Sequence, residues 1–520
     1  MQRMQSSVLE TIDALMAAPD QAAHWRRLYQ LLLDQPSWRE AALLRLRELP
    51  PLAGDAAFLL ANFWMHTWGG WDALVQARRV LDDCVRAQAE KVCLLAMQLP
   101  AELLHVSTSH REAESRLREA RWVDLGREQA MKVLAGLKSS VRGKAAEGPV
   151  RRVAIASSVL GPHYHPQTRL VHAHARLLSS LGIEVAVFSP LESHGRAILD
   201  QSGGDTVRGL DPHDPAHWKD AGLALWSADP EKLLVERWRG LLSAVETFCP
   251  DAVLYVGLHS TTQELLAAHH AIAVLPVIGL APIGTADVWL SSRPHAASPG
   301  DAGPQSVLYR YRHDPPGELD RIPALPRHEL GADGKTLLLV SVGARLRQEI
   351  VGDWAREMCE LLQARPRARW VLVGGGMPAA LQPVAAQVDV RPPMPEKELV
   401  ALLKACDLAV NPPRLGGGLS IALATACGLP VVSLAGCDGG DKLGDDAVAD
   451  QQTYFRVMED LLASKELRRE TGRRMQARHD SEIALRAAGP ALVQALGLAQ
   501  ARATSRLDVR LNGPVSVPVS

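Results

Sequence analysis

The sequence predicts an α/β protein in three parts: an all-α domain followed by two doubly wound α/β halves. Three observations carry this. Before residue 145, apolar residues recur at helical spacing and almost nothing reads as strand. From Arg152 on, short aliphatic runs alternate with helical stretches, the pattern of parallel strands joined by crossover helices. A second series of this kind opens at Thr336, after a connection that carries Pro323 and Pro326. The length, 520 residues, also exceeds one ordinary domain.

In the first part, Leu28, Leu31, Leu32 and Leu33, then Leu43, Leu44, Leu46 and Leu49, follow helical spacing, with breaks at Pro36 and Pro50-Pro51. Further helical stretches run over 55–68, 71–97 and 112–137. No self-similarity at a period of about 34 residues supports a tetratricopeptide array. Trp64, Trp68 and Trp71 read as core. The polar, Gly-containing stretch 137–150 is a linker. Strands are then expected at 152–157, 185–189, 251–256 and 275–279, with helices at 168–181, 230–248 and 262–271. After the second connection, 319–334, strands are expected at 336–342, 370–373, 388–391 and 408–410. Helices are expected at 350–364 and 396–406, and a charged helical run at 454–478. The domains are thus 1–145, 149–325 and 331–500, with 501–520 a loose tail.

Composition excludes several classes. Hydrophobic residues are 47% and charged residues 22%, as in a folded globular chain. The formal net charge of −1 supplies no basic field for nucleic acid. Seven cysteines without CxxC spacing read as reduced thiols of a cytosolic protein. The N-terminal residues lack a signal-like apolar core, and no run reaches the roughly 18–20 apolar residues of a membrane span. A cytoplasmic location is expected.

The most informative stretch is Asp407 to Leu434, DLAVNPPRLGGGLSIALATACGLPVVSL. A strand ends at Asn411, the triplet Gly416, Gly417 and Gly418 follows, then a small-residue helix and a second strand. Bare glycines at a strand-to-helix turn let a ligand approach the backbone, and the free N–H groups of a helix start suit a diphosphate. A tight turn without a ligand would have the same composition. Arg345 and Arg347 follow the strand LLLVSVGA and are candidate diphosphate contacts. His165, in PHYHP, follows the first strand and titrates in the range useful to a base. His163 is the alternative in the same loop, and a loop histidine bonded to backbone would fit as well. His172 and His174 are two apart on a helix and do not form a metal pair, so no metal is expected. The loop GCDGGDKLGDDA, with Asp438, Asp441, Asp445 and Asp446, lacks the alternation and terminal Glu of a calcium loop. It reads as solvated, with Lys442 toward the donor side.

Two Rossmann-like halves facing a cleft form the GT-B architecture. The residues also resemble a family. RRVAIASSVLGPHYHPQTRLVHAHARLL resembles the opening of the catalytic region of O-linked N-acetylglucosamine transferases, whose essential His-Pro would be His165-Pro166 here. The stretch from Pro250 to Ser292 resembles that family's next signature, with Gly279, Pro282, Gly284 and Thr285 in place. MPEKELVALLKACDLAVNPPRLGGGLSIALATACGLPVV resembles the bacterial adhesin-modifying N-glycosyltransferases of the same group, which also carry an all-α domain first. Together these cover roughly residues 150 to 480. The chain departs from the pattern at several places. Leu415 and Leu423 stand where retaining enzymes of this fold carry glutamates, which disfavours that subclass. Leu423 also replaces the family's ribose-binding aspartate. The polar diphosphate contacts fall on Gly417, Gly418 and Leu419, leaving Ser420 with a hydroxyl. Arg345 replaces a lysine.

The resemblance implies an inverting, metal-independent glycosyltransferase with no cofactor beyond a nucleotide-sugar donor, UDP-linked in this family. Its acceptor would be a protein side chain. His165 would be catalytic. His163, Gly284, Thr285, Arg345, Arg347, Asn411, Gly416, Gly417, Gly418, Ser420 and Lys442 would line the substrate sites. Two rivals remain: a non-catalytic relative acting as a binding or chaperone-like partner, and a transferase acting on a lipid-linked or polysaccharide acceptor. The sugar, the acceptor and the oligomeric state are not written in the sequence.

Overall fold

The computed structural model describes residues 2–34, 38–46, 48–49, 52, 56, 59–60, 63, 107–119, 122–136, 148–163, 165–192, 213–295, 303–315, 317 and 319–512. The Trp64, Trp68 and Trp71 cluster, most of the 137–150 linker and residues 513–520 lie outside them.

Helices α1 (Gln2–Ala17), α2 (Ala22–Asp34), α3 (Arg39–Leu46), α4 (His110–Glu119) and α5 (Trp122–Ala135) come from the first part. The first α/β half is a seven-stranded parallel sheet in the order β3-β2-β1-β4-β5-β6-β7. Its strands are β1 (Arg152–Ala156), β2 (Glu184–Ser189), β3 (Ala224–Ser227), β4 (Ala252–Val256), β5 (Ile272–Leu275), β6 (Val288–Ser291) and β7 (Gln305–Leu308). Between them run α6 (Pro166–Ser180), α7 (Pro215–Asp220), α8 (Leu234–Phe248) and α9 (Thr261–His269). The second half is a five-stranded parallel sheet, β10-β9-β8-β11-β12. Its strands are β8 (Leu337–Val342), β9 (Ala368–Val373), β10 (Val388–Arg391), β11 (Leu408–Val410) and β12 (Val431–Val432). Its helices are α10 (Leu346–Glu349), α11 (Gly352–Gln363), α12 (Glu396–Ala405), α13 (Gly418–Ala426), α14 (Asp438–Leu443), α15 (Gln451–Ala463) and α16 (Lys465–Arg478). Last comes α17 (Gly489–Asn512).

Parallel strands covered on both faces must be apolar at every position, which is why AVLYV of β4 is buried throughout. Side chains still alternate between layers. Leu338 and Val340 of β8 meet Leu403 and Ile421 on one face, while Leu339 meets Met358 and Met458 on the other. Helix boundaries follow local chemistry. Pro166 opens α6 at a position where no N–H is needed. Asp450 accepts from the Thr453 N–H at 2.8 Å and starts α15. Ser464 accepts from the Leu467 N–H at 3.1 Å, so the run expected as one helix over 454–478 is two.

Three strands fall outside the sequence expectation: β3, β6 and β7. The strand expected at 275–279 ends at Leu275, so Gly279, Pro282 and Gly284 lie in the loop that follows. A single helix, α17, spans the expected boundary at 500 and runs to Asn512, where a loose tail was expected. It returns to the first sheet, packing Leu492, Ala495, Leu496, Ala499 and Ala503 against its core. Ala130 and Val133 of α5 pack into the opposite face of the same sheet, beside Trp238 and Leu241.

Candidate functional site

Each sheet reverses its winding once, and the crevice at the carboxyl ends of the strands there is where open α/β sheets take ligands. In the first sheet the reversal lies between β1 and β4, and in the second between β8 and β11. These carboxyl ends face each other. The Gly279 N–H, after β5, donates to Asp438 Oδ1 at 2.9 Å, and the Ser292 hydroxyl, after β6, donates to Asp441 Oδ2 at 2.5 Å. Both aspartates follow β12. A further bridge joins Arg169 of α6 to Glu396 of α12 at 2.5 Å, one turn beyond Pro166.

The second reversal brings together most of the residues expected to meet a diphosphate. Gly417 has φ +91°, a left-handed conformation that favours glycine, and α13 starts at Gly418. Arg345 heads α10, and its Nη2 would lie 3.6 Å from a Cβ at Gly416. Its guanidinium pairs with Glu349 Oε1 (Nη2 at 3.2 Å), and its side chain keeps 41% exposure. A cation partly tethered and partly open can meet an anion arriving at the turn. Arg347 is exposed, with its Cδ 3.8 Å from where a Cβ at Gly376, after β9, would lie. The Ser420 hydroxyl is committed to the Gly417 carbonyl at 2.8 Å. Asn411 is buried and fully engaged: its Nδ2 donates to the Ser433 hydroxyl at 2.9 Å and its Oδ1 accepts from Arg414 at 2.8 Å. It braces the turn. Leu423 is buried in the core of the sheet and presents no group to a ribose. Arg414, which the sequence reading did not single out, lies buried beneath this turn.

The first reversal carries His165 as the residue just before α6, with its backbone N–H bonded to the Pro162 carbonyl at 2.8 Å. The imidazole is half-buried, and burial lowers its pKa, so it is neutral at pH 7. Its Nδ1 is buried without a hydrogen-bond partner among the described residues. His163 is exposed, with its ring centroid 5.5 Å from that of His217. His172 stacks on the same ring at 4.4 Å, while His174 turns inward to the Leu170 carbonyl and the Tyr309 hydroxyl. Under the PHYHP loop lies a polar floor. Gln167 Nε2 donates to the Ser157 hydroxyl at 2.7 Å, and the Tyr255 hydroxyl contacts Ser158 and Ser260.

Gly284 and Thr285 lie against a buried pair. His259 Nε2 lies 2.8 Å from Glu264 Oε1, and Glu264 also accepts from the Thr285 N–H (2.8 Å) and hydroxyl (2.6 Å). Burial alone would raise the Glu264 carboxyl, but His259 and Thr285 outweigh it and hold it at about 2. The Thr285 hydroxyl is thereby spent on Glu264. Gly284 has φ +78°, and a Cβ there would meet Glu264 Oε1 at 2.6 Å. Both residues shape the loop.

The acidic loop is solvated only in part: Asp445 is exposed as expected, whereas Asp438 and Asp441 are not. Asp438 and Asp441 belong to α14, and their side chains keep only 14% and 8% exposure. The physical reason is a partner from the helical part: His110 Nε2 lies 3.0 Å from Asp438 Oδ1 and 3.8 Å from Asp441 Oδ2. Burial would raise the Asp438 carboxyl, yet His110, the Gly279 N–H and Lys442 hold it below the usual range. His110, Asp438 and Asp441 are close enough to hold a cation geometrically. Lys442 and Arg312, both buried beside them, already supply the balancing positive charge. Burial pushes Lys442 down to about 8. Lys442 therefore belongs to this buried junction.

Residues 336–463, about a quarter of the chain, match the family model described as Glycosyl transferases group 1. The chain is similar to the structure of a mutant O-GlcNAc transferase from Thermobaculum terrenum. The identity is 16%, the match covers 97% of this chain and 95% of that one, and the TM-score is 0.56. A sucrose-phosphate synthase from Thermosynechococcus elongatus matches at 13% identity over 66% of this chain and 98% of that one, with a TM-score of 0.46. No curated protein matches in sequence. Two parallel sheets with opposed carboxyl ends, a helical part before them and a group 1 glycosyl transferase segment in the second sheet make this chain a GT-B fold.

Proposed function

We propose that the protein is a glycosyltransferase that moves a sugar from a nucleotide-sugar donor, UDP-linked, to a protein side chain with inversion and without a metal ion. The observation that carries this reading is the second reversal. There Arg345, half-exposed, stands at a glycine turn that opens the N-terminus of α13, inside the segment matching the group 1 family. An arginine and free N–H groups at that place suit a leaving diphosphate. The acceptor atom would attack the sugar's anomeric carbon as the bond from that carbon to the diphosphate oxygen breaks. The negative charge released would be met by Arg345. The acceptor's proton would pass to His165, which burial keeps neutral and able to accept it. The acceptor class and the cytoplasmic site of action follow the family resemblance and the reduced cysteines.

A second reading, a binding protein that has kept the fold without transfer, is favoured by one observation. The ribose-facing place holds Leu423, buried in the core. One experiment separates the two. The purified chain is incubated with a panel of nucleotide sugars and a cell lysate, and proteins are read by mass spectrometry. A sugar-sized mass gain from one donor supports transfer. Nucleotide binding without any mass gain supports the binding reading, and neither binding nor transfer removes the donor site.

A further inference from the structure

Arg414 stands between the two loops of the second reversal and touches both. Its Nη2 donates to the Val342 carbonyl at the end of β8 (2.9 Å), its Nη1 to Glu349 Oε2 in α10 (2.9 Å), and its Nε to Asn411 Oδ1 at the end of β11 (2.8 Å). The residue is 6% exposed. The backbone closes around it at two glycines. A Cβ at Gly417 would lie 2.7 Å from its Nε and Nη2, and one at Gly343 would also collide with Nη1. The carboxylate of Glu349 is shared: Oε2 takes Arg414 and Oε1 takes Arg345.

We infer that Arg414 is a positioning residue for the donor site, holding Arg345 and the Gly416–Gly418 turn in register through Glu349 and Asn411. The inference rests on the donor reading given above. The division of labour follows from exposure. Arg414 is buried and each of its three nitrogens donates to protein, so its role is to hold the loops rather than to meet a ligand. Arg345 is its exposed counterpart on the same carboxylate. Two guanidiniums around one carboxylate leave a net charge of +1 on the group, and Arg345 is its exposed member. A site whose charged group is held by a second layer of side chains loses less freedom when the anion arrives. Asn411 is itself fixed, since its backbone carbonyl accepts from the Tyr454 hydroxyl at 3.0 Å and its backbone N–H donates to the Val432 carbonyl at 3.0 Å. Lysine cannot replace Arg414, because one ammonium does not span acceptors on three separate segments.

The test uses Arg414→Lys, which keeps the charge, and Glu349→Asp, which keeps the carboxylate but shortens its reach. UDP binding is measured by calorimetry for each variant alone and combined with Arg345→Ala. The expected result is a loss of roughly three- to thirtyfold in UDP affinity for each variant alone. In the Arg345→Ala background the same changes should cost less than about twofold, because their effect runs through Arg345. Equal losses in both backgrounds, or none in either, would overturn the inference. If the unaltered protein binds no nucleotide, the donor reading fails and amide exchange still decides the brace. Arg414→Lys should then speed exchange over 343–349 and 415–420 and leave 352–363 unchanged, and unchanged exchange in both loops would refute it.

Discussion

Arg345 and His165 make the two sharpest predictions at the scale of single residues. Arg345→Ala removes the cation at the glycine turn. A charge-assisted contact is worth about 1.5–3 kcal/mol, so UDP affinity should fall roughly 10- to 150-fold. The melting temperature should hardly move, because the Arg345 side chain keeps 41% exposure. Unchanged affinity by calorimetry would take the residue out of the site. His165→Ala should lower turnover by roughly 10²–10⁴ and leave donor affinity nearly unchanged, since His165 belongs to the other sheet. Normal turnover in that variant, with a defect in His163→Ala instead, would move the role within PHYHP. The glycine turn and Arg345 were legible because a strand, a bare-glycine turn and a helix leave a sequence pattern. Arg414 was not. A lone arginine after Pro412-Pro413 has no spacing to mark it, and only folding brings Val342, Glu349 and Asn411 around it. Thr285, Ser420 and Asn411 were expected to line the substrate sites, yet the side chain of each is bonded to the protein. Sequence shows which groups exist and not which are already bonded.

Among the elements, the amphipathic helices and most strands were legible, the short edges β10 and β12 of the second sheet included, while β3, β6 and β7 of the first sheet were not. QSVL of β7 and ALWS of β3 are four residues each and lie at the two edges of the first sheet. Edge strands are buried less, so their apolar signal is weak. Elsewhere the fold carries a set of histidines shielded from water, and these give a pH prediction. His174 of α6 is fully buried against Tyr309, and burial lowers it from 6.5 to about 4. His172 on the same helix is also lowered to about 4, and His313, buried against His479, is lowered well below 6.5. Each gains its proton on unfolding across this window, so its contribution is complete above pH 6.5 and is lost as pH falls toward 4. Glu192, which burial raises to about 6, runs the other way: its contribution is full below 4.5 and lost as pH rises through 6. Several histidines against one carboxyl decide the sign. The melting temperature should fall steadily from pH 6.5 to 4.5, with His174 alone worth roughly 3 kcal/mol at most. His174→Gln should flatten that slope, and a slope identical to that of the unaltered chain would remove His174 from the account.

At the scale of the whole molecule, the helical part is joined to both α/β halves rather than strung before them. Leu280, from the loop after β5, and Leu415, from the glycine turn, lie in the same apolar core as Val8, Ile12, Leu28 and Leu117. His110 reaches Asp438 and Asp441, and the backbone N–H of His110 bonds to the Gly436 carbonyl at 2.8 Å. Glu114, on the same helix, accepts from the Ala281 N–H at 2.6 Å and pairs with Arg293. The sequence set a domain boundary near 145 and led us to expect the helical part to pack on the rest. It could not show that α5 lies in the core of the first sheet, because that contact joins residues far apart in the chain. A chain starting near Ala145 would therefore expose Leu280 and Leu415, lose the cover of Ala130 and Val133, and leave Asp438 without His110. Uncovering the two leucines alone costs roughly 3–6 kcal/mol, against a total stability of about 5–15 kcal/mol for a typical domain. The expected outcome is a truncated protein that aggregates or melts far below the full chain. Size-exclusion chromatography and thermal melting read it directly. A soluble, cooperative truncation that transfers sugar to protein at the full rate would show that the helical part is a separable addition. If the truncation folds and binds UDP but no longer modifies protein, the helical part selects the acceptor, and the opposed sheets suffice for the donor.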